Sequence, residues 1–402
     1  MGQKISVGID IGTYQIKVVV SESIMSEEGV NVPHIIGTGE AESKGLRHGY
    51  IINIADVTRC IKLAVAQAEK SAKIRIKKAY ISIGGIGLSS MVGKGTVMIS
   101  KADSEITELD VKNVLIEAEN SIPASSLMNK QIIQTIPQAF KIDGQILMGR
   151  PAGMHGVKLE TRVLFVVCLK QHLSDIVKAV EDADIEVLDV IASPIAASMV
   201  NLTKTQKIAG CILVNIGSET VSLVVFENNI PISLEVFPIG STDITNDIAL
   251  GFRIPISEAE NIKLGSAGTG EMQYPKKKLD EIIMARLSDI FELIEAHLKK
   301  IGRSGLLPAG IILTGGGSGI DTIEDVARVS LKLPSKVAAI SFISNIKNSQ
   351  LQDSYWSVAY GLAVWGLNLS TDNDFITVFN IAKGTSEKMF KGVGDWFKQF
   401  LP

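Results

Sequence analysis

The chain has 402 residues, 46% of them hydrophobic, with a mean hydropathy of +0.26 and a formal net charge of −3. That length accommodates two or more domains with substantial cores, and the near-balanced charge argues against a general nucleic-acid binder. The apolar content suits sheets buried on both faces rather than a membrane span: across 211–226, Asn215, Ser218 and Glu219 break the run well short of the ~20 apolar residues a spanning helix needs.

The first residues, Met1 to Ser6, lead directly into an apolar strand, so no cleavable signal peptide is expected. The match to the Met-Gly-x-x-x-Ser myristoylation pattern is discounted for the same reason. Residues 9–20 then read as strand, turn and strand, with Asp10 ending the first strand and Gly12 and Thr13 in the turn. Residues 56–72 carry Val57, Ile61, Val65 and Ala68 at helical spacing, and 77–83 read as a strand. From 84 to about 160 the texture changes to short strands, a helix over 108–119 capped by Thr107, and loops at Pro123, Pro137 and Pro151, which together predict an inserted subdomain. Regular structure resumes with a strand over 162–169 and a helix over 173–183. The Gly93-Lys94-Gly95 run has neither the spacing nor the hydroxyl of a P-loop. Cys60, Cys168 and Cys211 are too few and too widely spaced for a metal site or a disulfide framework, a usage that points to a reducing cytoplasm. The five histidines show no metal or triad spacing.

At 214–225 the opening phrase returns, offset by 205 positions, with Asn215, Gly217, Ser218 and Thr220 in the places of the first copy. Two such hairpins can clamp one polyphosphate: glycine lets backbone N–H groups approach the oxygens, hydroxyls add donors, and Asp10 can hold a divalent cation through water. A third glycine run, Gly315, Gly316 and Gly317, follows the apolar segment 309–313, as expected where a base and ribose lie against a strand-to-helix turn. Residues 274–303 predict one long amphipathic helix. Residues 370–385 read as a linker. After it, Met389, Phe390, Val393, Trp396, Phe397, Phe400 and Leu401 form a single helical stripe, with Lys388, Lys391 and Lys398 on the other face. This pattern predicts an interfacial membrane anchor that folds on contact with the bilayer. With about 1 kcal/mol gained per half-buried large side chain, one copy attaches reversibly, and firm residence needs several copies together.

Two phosphate hairpins and a late triple-glycine turn, in this order, resemble the actin-like ATPase superfamily. Within it the chain resembles the bacterial cell-division family FtsA over nearly its whole length. The runs that carry this are 45–54, 136–145 with 151–160, 243–249, 259–263, and the linker with its amphipathic tail. The implied fold is α/β, two actin-like lobes (duplicated ribonuclease-H-like domains) with a family-specific insert. The implied partition is 1–84 with 161–196 and 360–369 (IA), 85–160 (the insert, IC), 197–244 with 309–359 (IIA), 245–308 (IIB), linker 370–385 and membrane helix 386–402.

By that resemblance the protein binds ATP and Mg2+ between its lobes, forms filaments with itself, and tethers FtsZ to membrane lipids at the cytoplasmic face of the inner membrane. It would also recruit later division proteins. Asp10, Gly12, Thr13 and Lys17 would hold phosphates and magnesium, and Gly217, Ser218 and Thr220 would form the opposing clamp. Glu260 and Lys263 would reach the ribose and base, and Gly315, Gly316 and Gly317 would pass beneath the adenosine. The FtsZ C-terminal tail would dock near the long helix, with Arg286, Lys299, Lys300 and Arg303 as candidates. Two positions depart from the pattern. Asn215 stands where an aspartate is usual, removing one anionic contribution to the magnesium site, and Ser193 stands where hydrolysing relatives often carry a glutamate that orients water. Slow hydrolysis at most is expected. The alternatives are a PilM-like scaffold of pilus assembly, a sugar kinase of the same superfamily, for which no carboxylate base stands out, and a chaperone ATPase, for which no peptide-binding domain follows.

Overall fold

The computed structural model describes residues 4–25, 31–147, 149–265, 274–340, 343–344 and 354–368. The expected linker and amphipathic helix at 370–402 lie outside the described residues. Among the described residues three large sheets organise the chain, beside a two-stranded ladder of Leu46–Arg47 and Tyr50–Ile51. The first runs Glu186–Ala192, Lys78–Ile83, Ile5–Ile11, Gln15–Met25, Asn31–Glu42 and Ile343–Ser344. The second runs Ile230–Phe237, Val221–Glu227, Cys211–Ile216, Ile311–Thr314 and Ser335–Val337. Each contains one of the two related hairpins beside a parallel strand, Lys78–Ile83 in the first lobe and Ile311–Thr314 in the second.

Helices cover both faces of the first sheet, which is why successive Val18, Val19 and Val20 are all fully buried. Side chains alternate along a strand, so Val18 and Val20 join one core cluster while Val19 packs with Ala359, Tyr360 and Ala363 on the other face. Glycines bring helix and sheet close. A Cβ on Gly39 would sit 2.0 Å from the Ala64 carbonyl of helix Ile54–Ala72. In the insert, Gly93 and Gly95 stand likewise against the Ala118 and Val114 carbonyls of helix Glu108–Asn120, at 2.1 and 2.0 Å. The Gly93-Lys94-Gly95 run is therefore a packing device.

The insert's sheet runs Ser89–Met98, Lys158–Leu169, Lys130–Ile142 and Gln145–Ile146. Strand Lys158–Leu169 pairs with Ser89–Met98 over 158–167 and with Lys130–Ile142 over 159–169, so the sheet of the insert continues past the boundary expected at 160. The reason is burial on both faces: Val163, Phe165 and Val167 pack under helix Glu108–Asn120, while Leu164 and Val166 enter a core shared with both lobes. No compositional break marks that handover. Similarly, residues 343–344 and helix Ser357–Asn368, of which 343–344 and 357–359 were expected with the second lobe, join the first. Gly361 permits this, since a Cβ there would lie 1.9 Å from the Ala196 carbonyl of helix Ser193–Asn201.

The long helix spans Lys276–Lys300 and buries Ile283, Leu287, Ile290, Phe291, Ile294 and Leu298 in the second lobe's core. His297 is buried in the same row, with Nε2 2.9 Å from Ser233 Oγ. Burial, helped by the Lys300 charge, holds its pKa down at about 4 against an ordinary 6.5. The unfolded chain therefore takes up this proton first, and the contribution to stability is lost as pH falls from about 6.5 toward about 4. Urea denaturation at pH 7 and pH 4.5 is expected to show a larger loss in the wild type than in His297→Gln.

Candidate functional site

The two hairpins repeat each other in register as well as in sequence. Asp10 pairs with Lys17 across the first, and Asn215 with Ser222 across the second, each residue 205 positions from its counterpart. Both turns close tightly on the glycine. A Cβ on Gly12 would lie 2.8 Å from the Gln15 carbonyl oxygen, and one on Gly217 would lie 3.0 Å from that of Thr220. The Gly217 N–H donates to the same Thr220 oxygen at 2.9 Å.

The hairpin tips face each other across a cavity of about 500 Å³ between the lobes. Asp10, Gly12, Thr13, Lys17, Asn215, Gly217, Ser218, Thr220, Glu260, Lys263, Gly315 and Gly316 all line it. Gly315 has φ +92°, and a Cβ there would lie 2.2 Å from Asn215 Oδ1, so the turn after Ile311–Thr314 requires glycine. Gly316 borders open space, as a surface for a flat ligand does. Gly317 is the exception among the expected residues. It is packed behind the turn against Ile216 and Ser241, where it supports the wall.

Charge is concentrated on the first lobe. Asp10 is buried, and the Ser82 hydroxyl donates to its Oδ1 at 2.8 Å while accepting from the Ile11 N–H at 3.2 Å. Burial pushes the Asp10 carboxyl upward, opposed by the Lys17 charge and the Ser82 hydrogen bond. Lys17, equally buried, is pushed down by desolvation and held up by Asp10 and Glu40. Its ammonium lies 5.2 Å from the centroid of the Tyr355 ring. On the second lobe Lys263 and Glu260 are paired at 2.8 Å. Thr245 ties them together: its hydroxyl donates to Glu260 at 2.6 Å, and the Lys263 ammonium donates to it at 2.9 Å.

This set suits an elongated polyanion with a hard cation. Glycine turns, hydroxyls that include Thr13, Ser218, Thr220, Ser241 and Thr242, and two lysines offer donors, while Asp10 and Glu40 offer carboxylate oxygens. One Glu40 oxygen, Oε2, is buried with no hydrogen-bond partner among the described residues. The residues present therefore fit a magnesium nucleotide. At the mouth of helix Ser193–Asn201, Ser193 lines the cavity with a hydroxyl, which is no base at neutral pH.

Several site residues escaped the sequence reading. Ser82 and Glu40 sit on strands rather than in glycine turns, and the register of the sheet aims them inward. A cross-lobe contact was also missed: the His48 N–H donates to the Glu219 carboxylate, with Nδ1 3.2 Å from the Glu219 carbonyl oxygen. The adjacent Gly49 N–H donates to Thr13 Oγ1 at 3.1 Å, so one loop touches both hairpins. The four cations expected for a partner do not line the cavity. Arg286 grips Asp247 with two bonds of 2.7 and 3.0 Å, Arg303 is engaged with Glu227, and Lys299 lies 3.5 Å from Glu295. Lys300 is exposed at the helix end.

Comparison with known proteins places this geometry in context. The family model "Cell division protein FtsA" matches residues 212–361, and "SHS2 domain inserted in FTSA" matches 85–167. The chain is similar to Cell division protein FtsA of Pseudomonas aeruginosa, 30% identical over 96% of this chain and 94% of the relative. It is also similar to that of Bacillus subtilis, 32% identical over 84% and 79%. Among solved structures it is similar to a PilM-PilN type IV pilus biogenesis complex, with TM-score 0.67, 17% identity, and 90% and 98% of the two chains covered. MreB5 of Spiroplasma citri bound to ADP is similar at TM-score 0.52 and 13% identity, over 92% and 99%. At such identities these two structures establish the actin-like fold alone.

Removing the cross-lobe carboxylate exposes a backbone donor. Amide hydrogen exchange at His48 is expected to accelerate by about tenfold in Glu219→Ala, the scale of one charge-assisted hydrogen bond. Mass spectrometry of peptides spanning 45–52 checks it, and an unchanged rate shows the contact is not formed in solution.

Proposed function

The chain belongs to the FtsA family of cell-division proteins, and on that premise we propose that it binds ATP with Mg2+ between its lobes, assembles into filaments, and tethers FtsZ to the membrane during division. The observation that carries the nucleotide part is the convergence of two hairpins, 205 positions apart in sequence, on one polar cavity together with the Gly315 and Gly316 turn. Gly12 and Gly217 offer backbone donors from opposite sides, Lys17 supplies a buried positive charge, and the Glu260 and Lys263 pair faces the same space. Asp10, oriented by Ser82, would hold the cation's water shell, and the cation would offset triphosphate charge. Hydrolysis is slow at most, because Ser193 offers a hydroxyl where a water-orienting carboxylate would serve, and Asn215 offers an amide.

The membrane part rests on the stripe from Met389 to Leu401. No helix among the described residues is long and apolar enough to cross a membrane, and the proposed attachment is peripheral, at the cytoplasmic face of the inner membrane. The FtsZ C-terminal tail and later division proteins are the proposed partners. Of the four candidate cations, Lys299 and Lys300 are the more exposed, since Arg286 and Arg303 are engaged in bidentate pairs within the chain.

Co-sedimentation with anionic liposomes and FtsZ, with and without ATP, tests this reading against a truncation after Thr385. The full chain is expected to pellet with liposomes and to carry FtsZ with it, more so with ATP, while the truncated chain stays in the supernatant. Equal behaviour of the two forms sinks the tether.

A further inference from the structure

Glu40 lines the cavity beside Lys17. It lies on strand Asn31–Glu42 as the direct partner of Lys17, whose other partner is Asp10. In-register residues on neighbouring strands project to one face, so Asp10, Lys17 and Glu40 form a row of negative, positive and negative charge along the cavity wall. The corresponding row in the second lobe is Asn215, Ser222 and Val236, with no charge in it. The strand that carries Glu40 is fixed: its own N–H donates to Gln67 Oε1 at 3.1 Å, and the preceding Gly39 is pressed against the Ala64 carbonyl. The carboxylate reaches into the cavity with Oε2 buried and without a hydrogen-bond partner among the described residues.

We propose that Glu40 is a positioning residue of this nucleotide site: its charge, in register beside Lys17, stabilises that ammonium before nucleotide binds and sets the magnesium requirement once a triphosphate takes the ammonium over. The proposal rests on the nucleotide-binding reading. Before a nucleotide binds, the charges of the two carboxylates offset part of the desolvation of the Lys17 ammonium. A polyphosphate that claims Lys17 leaves Asp10 and Glu40 facing further negative charge in a site of reduced dielectric, where like charges repel strongly. A divalent cation offsets that repulsion. Without Glu40 one source of it is gone, so the cation matters less.

Equilibrium binding of ATP to the full chain, measured with saturating Mg2+ and again with EDTA, tests this for wild type, Glu40→Gln and Glu40→Asp. The quantity read is the ratio of the two affinities. Glu40→Gln is expected to bind more tightly than wild type in EDTA and to lower the magnesium ratio about fivefold, the scale of one partly screened charge contact. Glu40→Asp keeps the charge and is expected to restore most of the ratio. An unchanged ratio in Glu40→Gln, or an equal loss of affinity with and without magnesium, overturns the proposal, because a merely structural role moves both affinities together. Failure of Glu40→Asp to restore the ratio overturns it as well. If the wild type binds ATP in neither condition, the nucleotide reading falls and this inference with it; if the wild type shows a magnesium ratio that Glu40→Gln shares, only the inference falls. Thermal unfolding without ligand reports whether each variant is folded.

Discussion

The structure depends on keeping a lysine charged inside a protein. Lys17 is buried on a central strand, where desolvation alone disfavours the ammonium, and it stays compatible with the fold because Asp10 and Glu40 flank it in register. That row fixes the pairing of three strands as firmly as the apolar pattern does, since a one-residue slip would turn the charges into the core on the opposite face. It also makes the wall of the cleft a place where an anion finds a positive charge already desolvated. Ser82 extends the arrangement to a fourth strand through its bonds to Asp10 and the Ile11 N–H.

Duplication supplied two hairpins with the same register and turn geometry, but the two lobes do different work. The first lobe holds the charges; the second, with Asn215 and Ser222 at the related positions, offers hydroxyls and an amide. Its charged pair, Lys263 and Glu260, is self-neutralised and held by Thr245. A symmetric clamp with carboxylates on both sides would place like charges across a narrow space. The asymmetry lets the lobes approach, and the contact of Glu219 with the His48 N–H joins the two sides at that mouth.

Much of this was legible in the sequence, for definable reasons. Glycine and hydroxyl residues in turns leave a local signature, and twelve of the thirteen expected nucleotide residues do line one cavity. The thirteenth, Gly317, shows where the signature fails: a glycine needed for packing against Ile216 looks the same as one needed for a ligand. Gly93 and Gly95 gave the same ambiguity and turned out to seat a helix. Glu40, Ser82 and the pairing of His48 with Glu219 were invisible because their relevance comes from strand register and lobe contact across tens to hundreds of positions. The boundary expected at 160 falls where Lys158, Glu160, Thr161 and Arg162 interrupt the apolar run, whereas strand Lys158–Leu169 pairs straight through that point.

The shared core explains how the insert is connected to the cleft. Ile133, Ile136, Leu164 and Val166 of the insert pack in one cluster with Leu213, Phe226, Leu234 and Ile312 of the second lobe, and with the first lobe's sheet. Ser90 of the insert exchanges hydrogen bonds with the Leu234 backbone at 2.8 and 2.9 Å, and Gln138 donates to the Pro231 carbonyl at 3.2 Å. The contacts between the lobes are therefore of two chemical kinds: an apolar core, supplemented through the insert by side-chain hydrogen bonds to backbone, and polar contacts that include a mouth of carboxylates, lysines and hydroxyls. Apolar packing resists displacement over small distances, whereas charge contacts are rebalanced by any ion that enters. A charged ligand at the mouth acts on the softer of the two connections, and the insert, tied to the second lobe at Ser90 and Gln138, lies where a change in lobe angle would be felt on the outer surface.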